Sequence, residues 1–200
     1  MSKGWFTAPK LIGRLAGRRS GFLILLIGGI AAAAALLERR QGLDLHSTLV
    51  PGDPIPAYTA ESLDGAQVSI ADYQGRVVLL NFWATWCSSC MDQFPEMQRL
   101  KDELGERGLE IVSVNLDKQD RDGVQELWDR RGYGWRNLFD DPAHVEDVFG
   151  WGERYPKTVL VNRDGTVGVW WQGRLDLTLP ENRDLIDEAI SGRLVRESGN

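Results

Sequence analysis

With only two cysteines in 200 residues, this chain cannot build a disulfide framework. Cys87 and Cys90 stand three positions apart, and a bridge between them would close too small a loop to restrain the unfolded chain. Histidine is equally scarce. His46 falls in a linker, and His144 opens a helix more than fifty residues after Cys90, so a structural zinc site of four ligands is disfavoured. No tract rich in methionine or histidine is present to support copper handling. Basic residues are also rare outside the first forty positions. Seven Lys/Arg against Glu38 make that segment +6, and a total of -6 leaves -12 for residues 41–200. A domain that acidic lacks the clustered cations that phosphate contacts require, which sets nucleic acid aside.

The basic residues instead flank "GFLILLIGGIAAAAALL", Gly21 to Leu37, which has no charge. At 1.5 Å per residue this run reaches about 25 Å as a helix, within the range for a membrane span. We expect a cytoplasmic basic segment at 1–20, a single transmembrane anchor at 21–37, a linker at 38–52 and a domain at 53–196. The positive charges before the span place the N-terminus in the cytoplasm and the domain outside, on the periplasmic side. A cleaved signal peptide is the alternative, with Ala33 and Ala35 as an A-x-A pattern; a buried core helix is the third reading. Outside the cytosol a cysteine pair is free to be oxidised.

"LDG" at 63–65 reads as a hairpin turn between two short strands. "RVVLLNFWA", Arg76 to Ala84, is a continuous apolar run that predicts a strand buried on both faces. The stretch after it has helical spacing through Met91, Phe94, Met97, Leu100 and Leu104, with Pro95 as a kink and Gly108 as a stop. Leu109–Asp117 reads as a second buried strand, followed by a polar helix ending at Gly132 and a short helix "AHVEDVFG". "YPKTVLVNRDGTVGVWW" reads as strand, Asp164-Gly165 turn, strand, and "ENRDLIDEAISGRL" closes the chain as a helix. The expected order is β-β-α-β-α-α-β-β-α. It implies an α/β fold whose central mixed sheet is flanked by helices, with parallel βαβ pairing and a terminal antiparallel hairpin.

Cys87 falls where a strand ends and a helix begins, so its sulfur meets the free N–H groups and partial positive charge of a helix N-terminus. That environment favours thiolate. Cys90 lies one turn further in, within reach of a mixed disulfide formed on Cys87. Cys87 is therefore the nucleophile and Cys90 the resolving thiol. Trp83 and Trp86 are expected to cover one side of the pair, with ordinary core or surface packing as the alternative reading. The same two sulfurs could instead hold Cu(I), a soft ion suited to thiolates, which is the alternative to redox chemistry.

"NFWATWCSSC" resembles the active-site segment of the thioredoxin superfamily. "WCSSCMDQFPEM", with Phe94 and Pro95, is similar to its membrane-anchored extracytoplasmic branch, the TlpA/ResA-like proteins, which include cytochrome c maturation thioredoxins. The likeness covers roughly residues 50–195. It implies a thioredoxin-like fold and thiol-disulfide oxidoreductase activity, with no cofactor beyond the redox disulfide and no metal. It also places an extra element of the branch within Gln119–Pro142. In "RYPKTVLVNRDGTV" it implies a cis-proline at Pro156 facing the disulfide, with Tyr155 and Trp86 helping to bind a substrate chain.

The partners implied are protein disulfides, apocytochrome c among them, and a membrane thiol that donates electrons. A disulfide oxidase or isomerase is the alternative direction. Two departures stand out. Asn81 occupies a position where thioredoxins proper keep an acid, and Gln93 one where many of this branch keep Glu, so neither side chain can take the proton of Cys90. Asp92, Glu96 and Glu153 are the acids left as candidates. Ser88 and Ser89 replace a proline-containing pair, and their hydroxyls are placed to tune the thiolate or cap the helix.

Overall fold

The computed structural model describes residues 49–194 apart from Gln119 and Glu153. The expected anchor at 21–37 and most of the linker lie outside the described residues. Among those described, no helix is long and apolar enough to cross a membrane.

Seven strands form one sheet. They are β1 (Thr59–Ser62), β2 (Gln67–Ser69), β3 (Val77–Trp83), β4 (Leu109–Asn115), β5 (Arg136–Phe139), β6 (Lys157–Val161) and β7 (Val167–Gln172). Their order across the sheet is β2-β1-β5-β4-β3-β6-β7. β3, β4 and β5 run parallel, while β6 lies antiparallel to β3 and β7 antiparallel to β6, so the sheet is mixed. At the far edge the expected N-terminal hairpin forms, β1 pairing antiparallel with β2 around the 63–65 turn.

Among the described residues the α-helices are α1 (Ser88–Leu104), α2 (Arg121–Arg131), α3 (Pro142–Phe149) and α4 (Pro180–Ile190). All seven residues of β3 are buried, as its unbroken apolar run requires of a central strand covered on both faces. Val77, Leu79 and Trp83 pack with α1, α2 and α4 on one face. Val78, Leu80 and Phe82 pack with α3 and the N-terminal segment on the other. The buried stripe of α1 runs through Cys90, Phe94, Met97, Leu100 and Leu104 at helical spacing, but Gln93 replaces the expected Met91 on it.

Three details differ from the expected order. The two strands of the hairpin and the Arg76–Ala84 strand all form before the first long helix, one more than the β-β-α opening of that order counts. A further strand, β5, lies between α2 and α3, where "RNLF" alone carries too short a pattern to announce itself; its pairing with β4 and β1 holds the N-terminal hairpin onto the sheet. α1 stops at Leu104 with Gly105 as its cap, short of Gly108. Gly108 serves instead in the following turn at φ 104°, where a Cβ would lie 2.7 Å from the Arg163 guanidinium. Pro95 sits inside α1, where its ring forgoes one backbone donor without ending the helix.

The chain enters the domain against the β6–β7 turn. Gly52 donates to the Val167 carbonyl at 2.7 Å and Ile55 to that of Gly165 at 2.9 Å. Because Val161 pairs with Val78 and Lys157 with Phe82, that turn is at the end of the sheet opposite Cys87.

Candidate active site

β3 ends at Trp83, a turn through Thr85 and Trp86 follows, and α1 begins at Ser88 with Cys87 as its N-cap. Cys87 and Cys90 form a disulfide with S–S 2.03 Å. The outer sulfur's residue is 7% exposed and Cys90 is 0% exposed, so an incoming partner meets Cys87 first. The Cys90 amide donates to Cys87 Sγ at 3.2 Å, and Ser89 Oγ lies 3.5 Å from the same sulfur. These are polar contacts that a thiolate at Cys87 would strengthen, because an ionised acceptor draws its donors closer. Ser88 is exposed.

The Tyr155–Pro156 peptide bond is cis. Pro156 is buried and its carbonyl accepts from the Gly173 amide at 2.8 Å. Trp86 is 66% exposed, with its ring 6.0 Å from that of Tyr155. These two rings flank a cleft of about 460 Å³ that continues past Leu116, Asp117 and Pro142. The sequence reading placed Trp83 beside Trp86 as a cover, and the structure corrects this. Trp83 is 0% exposed, packs edge-on against Phe94 at 5.0 Å, and donates through Nε1 to Asn137 Oδ1 at 3.1 Å. It belongs to the floor beneath the motif because residues 77, 79, 81 and 83 share the inner face of β3.

Asn81 and Gln93 are both fully buried. Asn81 Nδ2 donates to Thr158 Oγ1 at 3.0 Å, and Gln93 Oε1 accepts from the Leu175 amide at 3.1 Å. Asn81 Oδ1 and Gln93 Nε2 have no partner. Of the acids named from sequence, Asp92 is exposed and Glu96 is engaged by Arg174 at 2.7 Å and by the Leu177 amide at 3.3 Å. Glu153 lies outside the described residues.

Sequence reasoning missed Asp117. Its Oδ2 accepts from the Thr85 amide at 2.9 Å and from Asn115 Nδ2 at 2.7 Å, and its Oδ1 from Thr85 Oγ1 at 3.0 Å. The carboxylate thereby fixes the turn that carries Cys87. The only available signal was an Asp closing a buried strand, with its partner 32 positions away. His144 opens α3 as expected, half-exposed, with Nδ1 2.8 Å from Asp140 Oδ2. Tyr58 donates to the same carboxylate at 2.6 Å, and burial, reinforced by Asp140, pushes its hydroxyl far above the ordinary phenol range. Among the described residues no group of three or more metal-ligating side chains comes together.

Residues 51–169 match the AhpC/TSA family. The thiol-disulfide oxidoreductase ResA of Oceanobacillus iheyensis is 31% identical over 163 residues, covering 80% of this chain and 82% of that protein. ResA of Halalkalibacterium halodurans is 32% identical over 116 residues, which span 58% of this chain and 65% of the relative's length. A Chlorobium tepidum structure described as a DsbE-type thiol:disulfide interchange protein superposes with a TM-score of 0.62 at 26% identity, over 74% of this chain and all of that one. This chain has a thioredoxin-like fold, with a disulfide at the junction of its central strand and first helix. The chain belongs to the AhpC/TSA family and, within it, to the ResA-like thiol-disulfide oxidoreductases.

Proposed function

We propose that this protein reduces disulfides of exported proteins outside the cytosol, with Cys87 and Cys90 as its only redox groups. The observation that carries the reading is the asymmetry of the pair: Cys87 at the helix N-terminus and toward solvent, Cys90 sealed in the core. In the reduced enzyme the Cys87 thiolate attacks one sulfur of a substrate disulfide, and the other substrate sulfur leaves as thiolate. Cys90 attacks Cys87 Sγ and gives up its proton, and the second substrate sulfur leaves as thiolate and takes one up. Two electrons have then passed to the substrate, and the Cys87–Cys90 disulfide has formed. A membrane thiol donor returns the electrons, and no cofactor or metal is required.

The basic and apolar N-terminal segment supports a single-span anchor with the domain on the periplasmic side. The chain enters the domain at the end of the sheet opposite the disulfide. Apocytochrome c is the substrate we favour, because its cysteines must be reduced before haem attaches. Tyr155, Pro156 and Trp86 receive the substrate chain, and Ser88, Ser89, Asn81 and Gln93 tune the pair.

Equilibration of the protein with defined thiol buffers tests the direction. We expect a potential near the value of about -270 mV found for thioredoxin. A value near the -120 mV or so of a strong oxidant would replace reduction by disulfide formation.

A further inference from the structure

Three alternate amides of the loop between β7 and α4 donate toward the redox site or its helix. Gly173 donates to the Pro156 carbonyl at 2.8 Å, Leu175 to Gln93 Oε1 at 3.1 Å, and Leu177 to Glu96 Oε2 at 3.3 Å. The partners on α1 follow Cys90 at three-residue steps, so Cys90, Gln93 and Glu96 form one stripe along the helix. Arg174 closes the outer end of the set by binding Glu96 Oε1 at 2.7 Å, with its side chain 40% exposed against 15% for Glu96. Gln93 is the middle rung and is 0% exposed. Its amide nitrogen is left without a partner, so the acceptor oxygen is the atom this position supplies.

We propose that Gln93 is a positioning residue that ties the helix of Cys90 to the Gly173–Leu177 loop. Through that loop it sets the Tyr155–Pro156 wall against the disulfide. The inference rests on the substrate role given to that wall above. It gives position 93 a task different from proton transfer: the side chain acts on the geometry of the substrate wall. An acceptor oxygen is what the task needs, and a carboxylate oxygen would serve as well.

The test uses the full-length protein and its Gln93→Leu and Gln93→Glu variants. The substrates are insulin, whose disulfides lie in a peptide, and 5,5′-dithiobis(2-nitrobenzoate), which offers no chain to the wall. Gln93→Leu is expected to raise KM for insulin about tenfold, the equivalent of one lost hydrogen bond. Its kcat and its rate with the small disulfide are expected to fall by much smaller factors. Gln93→Glu keeps the acceptor and is expected to return KM to within about twofold of the parent. A wild-type KM in Gln93→Leu, or equal KM defects in both variants, would overturn the proposal.

Hydrogen exchange reads the brace without any substrate. The Leu175 amide is expected to exchange about tenfold faster in Gln93→Leu and at the parent rate in Gln93→Glu, and unchanged protection in Gln93→Leu would also overturn it. Failure of the parent protein to reduce either disulfide would count against the oxidoreductase role, while the exchange data would still decide the brace.

Discussion

Full-length Cys90→Ala is expected to accumulate substrate proteins linked to Cys87 by mixed disulfides, and Cys87→Ala to accumulate none. Cys90 is the thiol positioned one turn behind Cys87, with its own amide 3.2 Å from Cys87 Sγ. Removing it leaves the first exchange intact and deletes the intramolecular attack that ends it. An external thiol must then release the substrate, which loses the advantage of holding both sulfurs in one turn of helix. Alanine at a fully buried cysteine removes one sulfur from the core, and a three-residue loop contributes little chain restraint, so the variant should remain folded. Non-reducing electrophoresis followed by mass spectrometry checks the result. Apocytochromes in the trapped fraction would identify the maturation role, and a broad set of exported proteins would indicate general reduction.

Trp83→Ala is expected to cost about 3–5 kcal/mol of stability, the range for deleting a buried large aromatic side chain. Trp83 makes an edge-on contact with Phe94, lies 5.6 Å from Trp128 and gives its N–H to Asn137, so the substitution leaves a cavity and an unpaired acceptor. Against a typical total of about 5–15 kcal/mol, that loss is a large share. Trp86→Ala, three positions later and exposed, is expected to stay within about 0.5 kcal/mol. Urea unfolding of both variants in the oxidised form measures the contrast. Equal effects would mean that the two tryptophans do not divide between floor and rim.

That division was within reach of the sequence, because Trp83 shares the alternation of Val77 and Leu79 while Trp86 lies beyond the strand. Treating both as a cover ignored the period of two. The buried central strand, the cysteine pair at a strand–helix junction and the two glycine-turn hairpins were legible because each is a local pattern of apolar run, cap or turn residue. β5 was not, since four residues with two apolar side chains become a strand only by pairing with β4 and β1. The supports of the site were hidden for the same reason. Asp117 meets Thr85 across 32 positions and Gln93 meets Leu175 across 82, so their roles exist only once the sheet has closed. Gln93 could be recognised from sequence as a departure from an acid. The task it performs is visible only in the fold.

The division of labour between the cysteines is tested most directly by alkylating the reduced protein with iodoacetamide across a pH series and locating the adduct by mass spectrometry. The helix N-terminus at Cys87 and the burial of Cys90 predict that Cys87 reacts first, while Cys90 stays unmodified until the protein unfolds. Modification of Cys90 first, or of both at equal rates, would contradict it.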